Sequence, residues 1–194
     1  MQYKALHKVS EVLTGYAFRG AINDNPLGTL CVAQASNIDV NQLYLDTENL
    51  KKIDEQPARA RAYLEEGDVI IASRTSMTGG FKASVFAGYE RQIIASSSVL
   101  IIRPSAEVTS EYLSIYLNSV MGQTELNRDT SGSYIKALLR KQLLTVSIPI
   151  PSMTEQDILA KLSKNTSDQN KLLEQKIHIH KNILQGALFN TLNK

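Results

Sequence analysis

The feature that most restricts the fold of this chain is the stretch Ile148 to Leu162, where two closely spaced prolines precede a long segment without proline. A proline lacks a backbone donor and has a fixed φ, so the pair excludes a helix and requires an extended segment. Ser152 and Glu155 have the spacing of a capping box, and either Ser152 or Thr154 can cap a helix that follows. The chain is therefore predicted to consist of a head and a helical stalk.

The predicted stalk runs from Thr154 to Leu192, contains a single glycine, and spans about 58 Å at about 1.5 Å per residue. An apolar stripe with helical spacing follows it, and polar residues interrupt that stripe. A helix of this length with a partly polar seam is marginal alone, so we expect it to pair with another helix or another protein. The residues expected to contact that partner are Ile158, Leu162, Leu172, Ile179 and Ile183.

The length and composition fit one head domain plus this stalk. The chain has 194 residues, 43% apolar and 21% charged, and no apolar run approaches the roughly 20 residues of a membrane span. Residues 1 to 15 show no secretory pattern, so a cytoplasmic location is expected. The single cysteine, Cys31, lies in the apolar run Thr29 to Ala33, which favours a buried thiol over a nucleophile.

Turn signals and hydrophobic periodicity predict an α+β fold, with a mixed head over residues 1–150 and a long helix over residues 151–194. A helix is expected from Val108 to Met121, ending at Gly122 or its neighbours. The stretch Tyr3 to Gly15 fits a short helix or a strand equally well. The expected strands are Thr29 to Ala33, Val69 to Ala72, Lys82 to Phe86 and Ser98 to Arg103.

Catalytic and metal-binding patterns are absent from the sequence. His178 and His180 are two residues apart, which on a helix directs them about 200° away from each other. Asp68 follows a glycine before a strand, a position typical of a turn. The sequence has no paired carboxylates, no nucleophile elbow and no cysteine cluster. We therefore expect a chain that is not an enzyme and binds no cofactor or metal of its own.

Two polar loops remain as candidate binding sites: Ser73 to Lys82 and Asp129 to Lys136. The first is not a P-loop, because Phe81 rather than a lysine follows its glycines. Each loop combines hydroxyls, glycine, a cation and an aromatic residue. Hydroxyls and backbone donors can bind phosphate oxygens, and the cations Arg74, Lys82 and Lys136 can pair with phosphate or read guanine edges. A simply solvated loop has the same composition, so both interpretations stay open.

Net charge alone does not indicate a nucleic-acid ligand, because it is only +2. Residues 74 to 142 nevertheless carry 8 basic and 5 acidic groups, whereas residues 1 to 73 carry 7 basic and 10 acidic groups. This asymmetry is consistent with a phosphate-facing side and equally with scattered solvated charge.

With these segments placed, the chain resembles the specificity subunit of type I restriction-modification systems over nearly its whole length. Five segments match that family's pattern in order and spacing. They are Gly15 to Gly20, Leu64 to Arg74, Tyr112 to Gly122 with the glutamine that follows, Thr130 to Ser133, and Ile148 to Ala160.

This resemblance implies sequence-specific binding of double-stranded DNA without catalysis. Family members usually carry two recognition domains, each followed by a helix, and the paired helices separate the halves of a split site and dock methyltransferase subunits. This chain has one recognition domain and one helix. The resemblance therefore implies a half-subunit that acts as a homodimer with antiparallel helices on a palindromic split site. S-adenosylmethionine would belong to the methyltransferase partner, and a restriction subunit can accompany the complex.

On the same resemblance, DNA contacts are expected in the two polar loops and in the early glycine-bracketed segment. The alternative is a non-catalytic interaction or regulatory module of a defence system, without sequence-specific DNA binding of its own. The predicted DNA-contacting residues are Arg19, Arg74, Thr75, Ser76, Thr78, Lys82, Ser131, Ser133, Tyr134 and Lys136.

Overall fold

The structure is a computed structural model that describes residues 2–54, 57, 61–76, 78–128 and 135–192. The strands are β1 (Gln2–Ala5), β2 (Ser10–Thr14), β3 (Leu30–Ala33), β4 (Lys51–Ile53), β5 (Val69–Ala72), β6 (Arg74–Ser76), β7 (Ala83–Val85), β8 (Ile93–Ala95), β9 (Val99–Pro104), β10 (Ile135–Ala137) and β11 (Ser147–Ile150). The helices are α1 (Ser110–Asn118), α2 (Val120–Asn127), α3 (Arg140–Thr145) and α4 (Met153–Leu192), with short 3-10 turns at Leu6–Lys8 and Ala35–Asn37.

A four-stranded antiparallel sheet of order β2-β9-β5-β7 forms the middle layer of the head. Successive side chains of a strand point to opposite faces. In β5, Val69 and Ile71 enter one apolar cluster, whereas Ile70 and Ala72 enter another. Both faces of the sheet are thus buried, which explains why β5 is uniformly apolar rather than alternating.

Helices cover one face of the middle sheet, and a second sheet covers the other. Tyr112, Leu113 and Leu117 of α1 pack with the first cluster, together with Leu143 of α3. The second cluster is closed by the three-stranded sheet β4-β3-β8, in which β3 runs parallel to β8 and antiparallel to β4. The head therefore has three layers, and the α+β class predicted from the sequence is confirmed.

The four strands expected from the sequence are confirmed as β3, β5, β7 and β9, with shifts of a residue or so at their ends. The stretch Tyr3 to Gly15, left open above, forms β1, a 3-10 turn and β2. Cys31 is 1% exposed, and burial raises the pKa of its thiol despite the nearby Arg91 and Lys52. The interpretation of this cysteine as a buried thiol is confirmed.

The expectation of one helix from Val108 to Met121, ending at Gly122 or its neighbours, is wrong. The segment forms two helices that meet at Ser119, whose ψ of 161° is extended. The Ser119 hydroxyl accepts a hydrogen bond from the backbone N–H of Gly122 (3.1 Å) and so caps α2. Gly122 lies inside α2, close to the end of α1. A Cβ at this position would come within 2.0 Å of the Tyr116 carbonyl oxygen, so the close approach of the two helices requires glycine.

The turn before β5 is confirmed, since an Asp68 carboxylate oxygen accepts a hydrogen bond from the backbone N–H of Glu65 at 2.8 Å. The same carboxylate, which is 1% exposed, also pairs with Arg103 of β9 through Nε (2.8 Å) and Nη2 (2.9 Å). This hydrogen bonding to Asp68 raises the pKa of Arg103. Asp68 therefore ties the turn to the middle sheet, beyond the turn role expected from the sequence.

The junction between head and stalk has the predicted capping box. The Ser152 backbone N–H donates to Glu155 Oε2 (2.8 Å), and the Glu155 backbone N–H donates to Ser152 Oγ (3.3 Å). Ser152 rather than Thr154 thus caps α4. Pro149 lies in β11, which pairs only with β1 among the described strands, so its missing donor is tolerated there.

Gln156 is the buried side chain of helix α4 among the described residues, and it bonds the start of the helix to the head. Its Oε1 accepts from the Thr109 backbone N–H (2.8 Å), and its Nε2 donates to the Glu107 and Pro151 carbonyl oxygens (both 3.1 Å).

No helix among the described residues is long and apolar enough to cross a membrane.

Candidate nucleic-acid interface

The two polar loops singled out from the sequence meet in a two-stranded antiparallel ribbon formed by β6 and β10. Ala137 lies opposite Arg74, and Ile135 lies opposite Ser76. Arg74 and Ser76 are exposed, whereas Thr75 between them is half-buried and its hydroxyl donates to the Gly80 carbonyl oxygen (3.0 Å). The ribbon thus presents a guanidinium and a hydroxyl to solvent on a paired backbone.

The other predicted residues of these loops fall partly on described positions. Lys82 is exposed next to β7, where its carbonyl oxygen accepts from the Ala72 backbone N–H (2.8 Å), and Thr78 is exposed in the intervening turn. Lys136 is half-buried, and its Nζ donates to Asn127 Oδ1 (3.0 Å). The remaining three lie outside the described residues: Ser131, Ser133 and Tyr134.

A serine turn, Ser96 to Ser98, joins the ribbon to the early glycine-bracketed segment. The Ser97 backbone N–H donates to the Tyr16 carbonyl oxygen (2.8 Å), and the Ser73 backbone N–H donates to the Ser98 carbonyl oxygen (2.9 Å). A Cβ on Gly15 would lie 1.9 Å from the Ser96 carbonyl oxygen, so this approach requires glycine. Arg19 follows in the same segment and is exposed.

The serine turn also holds a fourth polar segment that the sequence analysis did not select. The Ser98 hydroxyl accepts a hydrogen bond from the Ala35 backbone N–H (3.0 Å), at the start of the 3-10 turn Ala35–Asn37. The Asn37 side chain accepts from the Gln34 backbone N–H (2.8 Å) and closes this turn. The ends of β2, β3, β5 and β8 thus converge on one polar edge of the head.

Helix α2 supports the ribbon from the head side through Gln123. Its Oε1 accepts from the Phe81 backbone N–H (2.9 Å), and its Nε2 donates to the carbonyl oxygens of Phe81 (2.8 Å) and Leu117 (2.6 Å). A Cβ on Gly80 would approach Gln123 Oε1 to 2.7 Å, so the glycine makes room for this clamp. Asn127 of the same helix holds Lys136, so α2 contacts β10 as well as Phe81, which follows β6 along the chain.

A second amide continues this support along the outer edge of β7. Asn118 Oδ1 accepts from the Ala83 backbone N–H (2.9 Å), and its Nδ2 donates to the Ala83 carbonyl oxygen (2.8 Å). Together with Gln123, which binds Phe81 two residues earlier, it pairs with the strand edge as a neighbouring strand would. Sequence reasoning missed both amides because only the folded structure brings α1 and α2 beside β7.

The charge excess of residues 74 to 142 divides into structural and free cations. Arg103 pairs with Asp68 and Glu65, Arg128 pairs with Glu125 at 2.8 Å, and Arg140 Nε donates to the Val12 carbonyl oxygen at 2.7 Å. In the part of the chain that the structure describes, Arg74 and Lys82 form no ion pair. Much of the excess therefore serves the fold, and the cations at the ribbon remain available to an anionic ligand.

Two tyrosines of the first apolar cluster have raised pKa values. Burial raises the pKa of Tyr112 to about 12, with smaller effects from Tyr116 and Tyr3, and its hydroxyl donates to the Pro149 carbonyl oxygen (2.7 Å). Burial likewise raises the pKa of Tyr116. The cations, hydroxyls and backbone donors of the polar edge are groups that can bind phosphate oxygens.

Comparison with solved structures establishes the fold. The crystal structure of the HsdS subunit from Thermoanaerobacter tengcongensis matches with a TM-score of 0.59 and 16% identity, over 90% of this chain and 39% of that chain. The type I restriction-modification S subunit from M. genitalium matches with a TM-score of 0.62 and 11% identity, over 93% of this chain and 42% of that one.

A third structure, of a type I R-M system studied for complex assembly and conformational transition, matches with a TM-score of 0.65 and 17% identity. It covers 95% of this chain and 42% of the matched chain. The present chain therefore spans about two fifths of the length of these structures.

No curated protein matches the chain. A family model, described as the type I restriction modification DNA specificity domain, matches residues 2–180, which include the whole polar edge and more than half of α4. The chain belongs to this family of DNA specificity domains.

Proposed function

We propose that this chain is a half-length specificity subunit that reads one half of a split DNA site with its head. The observation that supports this most directly is the β6–β10 ribbon, which joins the two polar loops and leaves Arg74 exposed. A two-stranded ribbon fits the major groove, and arginine pairs with guanine edges or phosphate there. Residues 1–150 form the recognition domain, and residues 151–194 form the stalk.

The DNA-contacting surface consists of the ribbon and the segment that carries Arg19. Both are tied to the serine turn, so they approach DNA as one rigid edge. Lys82, Thr78 and Ser76 add a cation and hydroxyls at the ribbon. Lys136, bonded to Asn127, is half-buried and serves at the margin of this surface. The hydroxyl residues of the second loop, Ser131 and Ser133 with Tyr134, complete the proposed contact set.

The stalk is the dimerisation and docking element. A seam against one helix covers an apolar stripe about 100° wide. The exposed apolar residues of α4 extend further around the helix and include a second row, Leu173, Ile177, Leu184 and Leu188. This excess supports two partners: a second copy of the chain and a methyltransferase subunit that brings S-adenosylmethionine. A restriction subunit can join through the methyltransferase, and the complex acts in the cytoplasm without catalysis by this chain.

The DNA target can be found by mapping methylated bases in cells that express the chain with its methyltransferase. A homodimer predicts a palindromic split motif, because two identical heads related by a two-fold axis read two identical half-sites. Two different half-sites would contradict the homodimer.

The placement of the DNA contacts is tested with Arg74→Ala in the same complex. Loss of a contact to guanine is worth about 1–3 kcal/mol, so affinity for the mapped site should fall by about 5-fold to 150-fold. Arg91→Ala is the matched control, because Arg91 is exposed at the opposite end of β8 from the serine turn. Equal effects of both substitutions would remove the ribbon from the interface. Absence of any DNA binding by the wild-type complex would instead support the interaction-module alternative.

A further inference from the structure

The β6–β10 ribbon has an inner face that bonds to the rest of the protein. In an antiparallel pair, residues directly opposite each other share a face, and the faces alternate along each strand. Thr75 and Lys136 lie opposite each other, and both are half-buried. The Thr75 hydroxyl donates to the Gly80 carbonyl oxygen, and Lys136 Nζ donates to Asn127 Oδ1 (both 3.0 Å). This face therefore serves the fold.

The outer face of the ribbon carries two pairs of exposed residues. Arg74 lies opposite Ala137, and Ser76 lies opposite Ile135. The side chain of Ile135 is 62% exposed. The face that presents the Arg74 guanidinium to solvent thus presents an aliphatic side chain at its other end.

Ile135 differs in chemistry from the residues that the sequence analysis selected for DNA contact. Hydroxyls and cations bind phosphate oxygens and polar base edges, whereas an isoleucine side chain binds neither. A single exposed aliphatic residue is common on protein surfaces, and Leu27, for example, is 88% exposed. What separates Ile135 from Leu27 is its place on the same face as Arg74.

The major groove offers an apolar partner for this side chain. The groove admits a two-stranded ribbon, and the apolar group that a base edge exposes there is the C5-methyl group of thymine. Contact between this methyl group and Ile135 removes apolar surface of both from water, which is favourable. Thymine is therefore the base that fits Ile135.

The ribbon geometry also gives the spacing between the two contacts. Arg74 and Ser76 are two residues apart on β6, which corresponds to about 6.6 Å along the strand. Base pairs are spaced by about 3.4 Å. Since Ile135 lies opposite Ser76, the base that it contacts lies about two base pairs from the one that Arg74 contacts.

We infer that Ile135 is a specificity-determining residue, which contacts the methyl group of a thymine about two base pairs from the base pair contacted by Arg74. The inference rests on the proposed function and adds a base identity to the half-site that each head reads.

Deoxyuridine tests this contact, because it pairs as thymidine does and lacks only the methyl group. In duplexes of the mapped site, each thymine position is replaced in turn, in both half-sites together. Gel shifts then measure the dissociation constants of the full complex with methyltransferase. At one position the wild type should bind about 15-fold more weakly, the effect of two methyl groups returned to water. Ile135→Ala should bind the two duplexes within about 2-fold of each other.

Two further variants separate base reading from folding. Ile135→Val keeps a branched apolar side chain and should keep most of the preference for thymine. Leu27→Ala is the matched control, because Leu27 precedes β3 at the end away from the serine turn, and it should change neither affinity nor preference. A purely structural role of Ile135 would weaken binding to both duplexes equally, so the ratio of the two constants is the decisive quantity.

The outcomes distinguish this inference from the proposed function. A half-site without thymine, or a deoxyuridine effect of the same size in the wild type and in Ile135→Ala, would overturn the thymine contact alone. Weaker binding by Ile135→Ala without any methyl dependence would also overturn it, since a wedge between base steps has that signature. Absence of DNA binding by the wild-type complex would overturn both. A thymine preference that Arg74→Ala retains and Ile135→Ala loses supports the inference.

Discussion

The head and the stalk solve the problem of burying apolar surface in different ways. In the head, both faces of the middle sheet are covered, and the large side chains Phe81, Ile101 and Leu113 are fully buried. In α4, Gln156 is the one buried residue among the described positions, and leucines and isoleucines are exposed along the helix. The comparison shows that the head can fold on its own contacts, whereas the stalk depends on partners for its stability.

The largest effect is expected from Arg103→Ala, which should lower the stability of the head and leave the stalk unchanged. The substitution leaves the buried Asp68 carboxylate without its partner, and the head should lose about 3 kcal/mol of unfolding free energy. Urea unfolding measures the loss, and light scattering should still find the stalk-mediated dimer. Arg128→Ala, which removes an ion pair between an exposed guanidinium and the half-buried Glu125, should change stability by about 0.5 kcal/mol or less. Similar losses for both variants would contradict the structural role of Asp68.

The next effect concerns the stalk alone. The dimer seam is the row of exposed residues of α4 expected to contact a second copy: Ile158, Leu162, Leu172, Ile179 and Ile183. Ile183→Asp places two carboxylates in this seam, so the dimer dissociation constant should rise by about 100-fold while the melting of the head stays unchanged. Asn182→Asp is the control, since it adds the same charge on the adjacent face of α4. Sedimentation over a range of concentrations measures both. An unaltered dimer in Ile183→Asp would show that the seam is elsewhere.

A smaller effect distinguishes the polar edge from the rest of the head. Gln123→Ala and Asn118→Ala each remove an amide that bonds the β7 edge, and each should cost about 1–2 kcal/mol. Of the two amides, Gln123 is the one that bonds Phe81, which follows Gly80 in the polar loop that contains β6. At a temperature where both variants are folded, Gln123→Ala should weaken binding to the mapped DNA site several-fold more than Asn118→Ala. Equal DNA affinities would show that the amide only stabilises the fold.

The smallest effect lies at the junction of the two regions. Hydrogen bonds from Ser152 lower the pKa of Glu155 below its ordinary value of 4.5. Because the folded-state pKa is depressed, the stabilisation is complete above about pH 4.5 and is lost as pH falls through the lowered pKa. Glu155→Gln should therefore lower Tm by about 2 °C at pH 7 and by less at pH 3. A pH-independent difference would argue against the carboxylate as the source.

Elements with strong local signals could be predicted from the sequence. The Pro-x-Pro junction, the capping box at Ser152 and the apolar strand β5 depend on neighbouring residues, and each was found where expected. The break at Ser119 was missed because a serine cap inside an apolar-periodic segment resembles a helix interior. The β1–β11 and β6–β10 pairs depend on contacts between distant parts of the chain, for which local sequence carries no signal.

The candidate interface was predictable in its composition but not in its assembly. The hydroxyls and cations marked both polar loops, and the structure joins their described parts in one ribbon. The supporting amide of Gln123 and the serine turn were not predictable, because their roles come from backbone groups far away in sequence. Roles for Ser131, Ser133 and Tyr134 stay predictions.

The pairing of β1 with β11 places the entry and the exit of the head side by side, with Lys4 opposite Ile148 at the foot of the stalk. The first and last strands of the head are thus neighbours, so the segment between them begins and ends at the same place in the fold. Replacing everything between those strands with another sequence of the same architecture would leave the stalk and its partners in place. If the proposed function holds, we expect that exchanging the segment between these two strands would change the DNA sequence that is recognised and leave the proposed assembly unchanged.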